Sequence, residues 1–215
     1  MTTRVINYFS CSNPSGSLHK ESDLVDSRFV YTQCPVWGHK VDRTFVCLSP
    51  FDYSVKVDRK NRKIITDDPD AIQYEDDESP SPVIQMQDPQ FLFWTNDDNI
   101  WFEMRDHPMT SYSNNFVAVG GWFNLSNWSR ITSVGMTIVD EDKEVVIKKG
   151  DPLFKVSFYS SDLNDSFVLK EETDPSFRKE YHKIEDNRDW SYDSLFKPTT
   201  PKSKCPFSWV WNRTP

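Results

Sequence analysis

Residues 116–159 read FVAVGGWFNLSNWSRITSVGMTIVDEDKEVVIKKGDPLFKVSFY, and this stretch decides the fold class. Several strand-like runs follow one another, and the last is introduced by the turn Lys149-Gly150-Asp151-Pro152. In that last run side chains alternate with a period of two. Phe154, Val156 and Phe158 share one face, while Lys155 and Ser157 share the other. The pattern predicts an antiparallel strand with one side buried and one side in water. Gly150 takes a positive φ at little cost, and Asp151 hydrogen-bonds nearby backbone. Pro152 has no N–H for a central ladder, so it fits at the start of a strand. Upstream, residues 134–139 and 144–147 flank Asp140-Glu141-Asp142-Lys143, which predicts a hairpin with a charged turn. Gly120-Gly121 before Trp122 predicts a bulge, with a close ligand approach as the alternative.

Working outward, short apolar or alternating runs predict strands at 4–10, 29–33, 44–48, 91–94, 100–104, 116–119 and 166–169. A hairpin is predicted over 55–65, with the basic run KVDRKNRK (56–63) as its solvated tip. Residues 12–27 are polar and read as loop, and residues 29–33 and 44–48 are expected as short strands around Cys34–His39. Residues 66–82, TDDPDAIQYEDDESPSP, read as a long acidic loop. One helix is predicted after Thr173. Thr173 can cap it, Pro175 sits in its first turn, and Phe177, Tyr181 and Ile184 make one apolar stripe. The end of the chain, 197–215, is an aromatic tail carrying Trp209 and Trp211, expected to fold back onto the domain or to dock on a partner. The whole, 1–215, is thus expected to be one mainly β domain. Its core is an antiparallel double-layer sandwich or β-clip-like, with one C-terminal helix.

Composition bounds the function classes. Fifteen Phe, 8 Trp and 8 Tyr can fill a large core. A formal net charge of −8 disfavours nucleic acid, because phosphate contacts need clustered Lys and Arg. No apolar run approaches the roughly 18–20 residues that span a bilayer, and no signal-peptide core is seen near the start, so an acidic, soluble, non-secreted chain is expected. Its place would be the cytoplasm, of a host cell if the chain is phage-encoded, or a virion. Cys11, Cys34, Cys47 and Cys205 are widely spaced and do not read as a disulfide framework.

Motifs for chemistry are sparse. There is no Gly-x-Ser-x-Gly, no phosphate loop and no dinucleotide fingerprint. Cys34, His39 and Cys47 offer three zinc-type ligands at Cys-x4-His-x7-Cys spacing, a spacing that fits no zinc pattern, and no cofactor is expected. Asp140, Asp142 and Glu144 alternate in a turn that lacks the Gly and late Glu of a calcium loop. Trp94, Trp101, Trp122 and Trp128 lie on or near strands, where they serve as core or, if exposed, as a stacking platform for a sugar or base.

Residues 134–158 resemble the second half of a β-clip domain of the dUTPase kind, in Gly135, in Val139-Asp140 and in Lys149-Gly150-Asp151. The family's Tyr and Gly after the Asp are replaced here by Glu141-Asp142-Lys143, and its glycine-rich tail is missing. Its catalytic Asp role is therefore not carried onto Asp140. In general style the chain also resembles β-rich proteins of marine tailed bacteriophages, a resemblance that supplies no site. The first functional expectation is a non-catalytic module for protein binding or self-assembly, with Trp122, Trp128, Asp140, Trp209 and Trp211 as candidate binding residues. The alternatives are a nucleotide-acting enzyme on a β-clip scaffold and a carbohydrate-binding β-sandwich. A pocket gathering His39, Arg43 or Asp140 would favour the enzyme.

Overall fold

Alternating aromatic and polar residues make this chain a stack of β-sheets. The structure, a computed structural model, describes residues 2–11, 17–25, 33–58, 60–61, 63–67, 72–75, 83–108, 114–174 and 176. The first sheet runs β14 (Ser166–Glu171), β1 (Thr3–Ser10), β7 (Val83–Trp94), β11 (Arg130–Ile138) and β9 (Phe116–Val119), with β6 (Ile72–Glu75) also on β7. The second runs β10 (Gly121–Asn124), β8 (Trp101–Asp106), β13 (Pro152–Tyr159), β3 (Thr44–Leu48) and β2 (Ser17–Lys20). A small third sheet joins β12 (Val145–Ile147), β4 (Tyr53–Asp58) and β5 (Lys63–Thr66). Pairing is antiparallel except for β1 with β14, which is parallel from Thr3↔Ser166 to Tyr8↔Glu171. Two short helices, α1 (Glu21–Leu24) and α2 (Pro35–Val41), lead into the second sheet.

The two large sheets meet through phenylalanine. Phe93 of the first sheet contacts Phe102 and Phe158 of the second, at ring-centroid distances of 5.4 and 5.9 Å. Phe167 on β14 stacks on Phe158 at 6.1 Å. Phe91, Phe93, Phe102, Phe116, Phe154, Phe158 and Phe167 are all fully buried. The third sheet adds Tyr53, Val55, Val145 and Ile147 to the same core. The fold is mainly β, as the alternation predicts.

Several local expectations change. Phe154, Val156 and Phe158 do face the core, but the opposite face of β13 is not wet. Ser157 is buried with its hydroxyl 2.8 Å from Thr44 Oγ1, and Lys155 donates to Glu21 of α1 at 2.9 Å. A slip in register between Pro152 and Phe154 also buries Leu153. The charged turn at 140–143 is not a hairpin. β11 belongs to the first sheet and β12 to the third, so the turn is a corner between sheets. Gly120 is not a bulge within one strand pair. It is where the chain leaves β9 in the first sheet for β10 in the second, and a Cβ there would lie 2.6 Å from the Met104 carbonyl oxygen. Between the expected strands, Pro35–Val41 forms helix α2, with Pro35 in its first turn and Cys34 at its N-cap. The polar loop expected over 12–27 contains β2 and α1, and the acidic loop over 66–82 contains β6. The strand expected at 29–33 falls mostly outside the described residues. Of the predicted C-terminal helix only Thr173, Asp174 and Ser176 are described, and the rest of it, with the tail carrying Trp209, Trp211 and Cys205, lies outside the described residues.

Candidate functional site

At one end of the sandwich, the segment after α2 meets the loop that joins β13 to β14. Here a pocket of about 480 Å³ is lined by His39, Asp42, Arg43, Leu163, Asn164, Asp165 and Ser166. Local chemistry builds both walls. On one wall α2 ends at Val41, Asp42 returns its N–H to the Gly38 carbonyl at 3.0 Å, and β3 begins at Thr44. Arg43 is held between helix and strand, its carbonyl accepting from the Phe158 N–H at 3.1 Å. On the other wall, the Asp162 carboxylate accepts from the Asn164 N–H at 2.8 Å, and the Asp162 carbonyl accepts from the Asp165 N–H at 3.1 Å. That tight turn delivers Ser166 to the Thr2 carbonyl at 3.0 Å and starts β14.

Arg43 is 4% exposed. Its guanidinium lies 5.4 Å from the centre of the Phe167 ring, a cation–π distance, and donates one hydrogen bond to the Leu163 carbonyl. Among the described residues no carboxylate comes within 4.0 Å of it, so this buried cation has no contacting counter-charge. Burial pushes its pKa down, while the fields of Asp165, Asp162 and Tyr159 hold it up. An arginine stays protonated through such a shift. Four of its five N–H donors are thus not accounted for by the Leu163 bond.

Asp165 is 3% exposed. Its Oδ2 accepts from Arg4 Nε at 2.8 Å and is 2.9 Å from the Ser160 hydroxyl. That hydroxyl also reaches the Asp162 carbonyl at 2.9 Å and can serve only one acceptor at a time. Oδ1 is buried with no hydrogen-bond partner. Burial pushes this carboxyl up, but the hydrogen bonds from Arg4 and Ser160 and the Arg4 charge outweigh it, leaving the pKa below the usual carboxylate range. Asp165 is therefore ionised at neutral pH. His39, exposed at the rim, lies with Nε2 2.6 Å from the Leu163 carbonyl. A carbonyl only accepts, so the hydrogen sits on Nε2, and Nδ1 is the acceptor of the neutral ring. Asp42 pairs with Lys20 at 3.2 Å.

The sequence-derived candidates are scattered. Asp140 does not line the pocket. Its Oδ1 accepts from the Asp142 N–H at 3.1 Å, its Oδ2 pairs with Lys143 at 2.9 Å, and Asn115 brackets its backbone. It is held as a turn residue. Trp128 is 7% exposed and packs edge-on against Phe123 at 5.1 Å, so it offers little surface to a ligand. Trp122 is exposed on β10 and stacks on Trp101. Cys47 is fully buried with its thiol pKa pushed well up, Cys34 is exposed at the start of α2, and His39 bonds Leu163. Among the described residues no three His, Cys, Asp or Glu gather as a metal-type group. The pocket does gather His39 and Arg43. Sequence reading missed Asp165, Asn164 and Arg4. The available signal was the polar run Ser160-Ser161-Asp162-Leu163-Asn164-Asp165 between two strong strands, since loops on a rigid scaffold carry binding groups.

No family model and no curated protein matches the chain. Its structural neighbours include dUTPases. The native EIAV dUTPase is 8% identical, with a TM-score of 0.39 over 72% of this chain and 88% of that one. A mutant dUTPase from phage phi11 of S. aureus is 7% identical, with a TM-score of 0.35 over 74% and 95%. A mutant Staphylococcus bacteriophage 80alpha dUTPase is 7% identical, with a TM-score of 0.36 over 89% and 98%. No residue of this chain takes a role from them.

Proposed function

We propose that the protein binds a small phosphorylated ligand of nucleotide size in the pocket between α2 and the β13–β14 loop. The observation that carries this reading is Arg43, a buried guanidinium with one neutral hydrogen-bond partner and no contacting carboxylate, on the wall of a pocket. A buried charge without a counter-ion is costly, and an anionic oxygen delivered to its spare donors removes that cost. Asp165 favours the opposite group, because an ionised carboxylate on the pocket wall accepts from an N–H or O–H. A nucleoside phosphate carries both, an anion at one end and ring hydroxyls or a base amide at the other. The volume of about 480 Å³ lies in the range of small-ligand sites, roughly 300–1,000 Å³. Turnover would be the catalytic extension of the same site, with His39 at the rim as the candidate proton carrier.

The test is calorimetric titration with nucleoside mono-, di- and triphosphates and sugar phosphates, with product analysis on the same samples. A binder with a phosphate is expected, and Arg43→Gln should weaken it at least tenfold, about 1.4 kcal/mol. A folded wild-type protein that binds no member of the panel, or an Arg43→Gln variant that binds unchanged, refutes the reading.

A further inference from the structure

A second surface lies on the outer face of the second sheet, apart from the pocket residues. Trp122 is 52% exposed, although tryptophan ranks among the most burial-seeking side chains by area. It sits on β10, an edge strand, and stacks face to face on Trp101 at 4.2 Å between ring centroids with planes 10° apart. Trp101 is half-buried and pairs in register with Tyr159 on β13. The lower indole therefore supports the upper one against the sheet. The arrangement is a shelf of two stacked indoles at the sheet edge.

Polar groups flank the shelf on the same face. Trp122 pairs across the strands with Glu103. The Tyr159 hydroxyl donates to Glu103 Oε2 at 2.6 Å, and Arg105, two residues along β8, approaches that same oxygen at 4.0 Å. Arg105 also reaches the Ser157 hydroxyl at 3.4 Å, while its Nε is buried with no hydrogen-bond partner. One carboxylate and one guanidinium cancel, so the surface presents an aromatic plane beside a donor and an acceptor with no net charge.

We infer that this shelf binds a neutral pyranose of a glycan. The axial C–H bonds of a pyranose face carry partial positive charge and suit the electron-rich face of an indole. Its hydroxyls can accept from Arg105 and donate to Glu103. A polyanion such as single-stranded nucleic acid would also stack, but it would bring phosphates to a chain of net charge −8 with no basic cluster at the shelf among the described residues. The observation differs from the one behind the pocket, so either site stands without the other.

The experiment is retention of the full chain on insoluble cellulose, xylan, chitin and starch, with tryptophan fluorescence titration by the soluble oligosaccharides of whichever is bound. Wild-type protein is expected to bind at least one. Trp122→Ala should weaken it at least tenfold with the circular dichroism spectrum unchanged, and Trp122→Phe should recover part of the loss. Glu103→Gln, which keeps the acceptor shape, separates the polar contribution. Arg43→Gln should bind the glycan as wild type does. Failure of the wild type on all four polysaccharides overturns the inference, as does binding that Trp122→Ala leaves intact. Tighter binding of a poly-deoxythymidine strand than of any oligosaccharide overturns it too.

Discussion

Asp165 shows how one buried charge serves two ends. Its Oδ2 is tied to Arg4, and the same residue lines the pocket. Because its folded pKa is depressed below the unfolded value, its contribution to stability is fully present above the ordinary carboxylate pKa of about 3.9. It is lost as pH falls through the folded value. Asp165→Asn should therefore be less stable than wild type at pH 7, by about 2 kcal/mol, the scale of a hydrogen bond to a charged group. The gap should narrow as pH drops from 5 toward 2. Urea unfolding across that range checks it, and a gap that stays constant with pH would count against an ionised role. None of this was legible in the sequence. The sequence shows 33 acids, and which of them loses its water depends on residues more than 160 positions away, such as Arg4.

At the scale of the element, the strands were legible because their cause is local. Phe154, Val156 and Phe158 alternate in the chain and all turn into the core. What joins the strands was read less well. The Asp140–Lys143 turn reads locally as a hairpin and Gly120-Gly121 as a bulge, yet both pass the chain between sheets. Gly120 gives a direct test of that crossover. A Cβ there meets the backbone oxygen of Met104 at 2.6 Å, and a backbone atom cannot swing aside as a side chain would. Gly120→Ala should cost about 1–3 kcal/mol, the range of overpacking that moves backbone, measured as a lower urea midpoint. At Gly121, where a Cβ meets nothing within 4 Å, the same substitution should be much milder. Helix α2 was missed for a related reason. Seven residues carry too little periodicity to announce a helix, and this one lies beside β3, with the Thr44 hydroxyl donating to the Lys40 carbonyl at 2.9 Å.

Across the whole molecule, the two large sheets are held by rings that come from distant parts of the chain. Phe158 alone meets Phe45, Phe93, Phe102 and Phe167. Phe158→Ala should open a cavity at the junction of the sheets and destabilise by about 3–5 kcal/mol in equilibrium unfolding. A loss under 1 kcal/mol would mean the sheets can close over it and do not depend on this ring. The parallel β1–β14 pair joins residues 3–8 to residues 166–171, and so brings Arg4 to Asp165 on the pocket wall.

The sequence by itself determined that the chain is mainly β, which faces of its strands are apolar, and that catalytic motifs of known spacing are missing. Those properties follow from neighbours one to four residues apart. Tertiary structure alone decided which strands share a sheet, that the Asp140 turn passes the chain from one sheet to another, and that Trp101 and Trp122 stack. It also decided that Arg43 and Asp165 face a common pocket. Such pairings depend on how distant segments close on one another, and on the water that closure removes, neither of which any local pattern records.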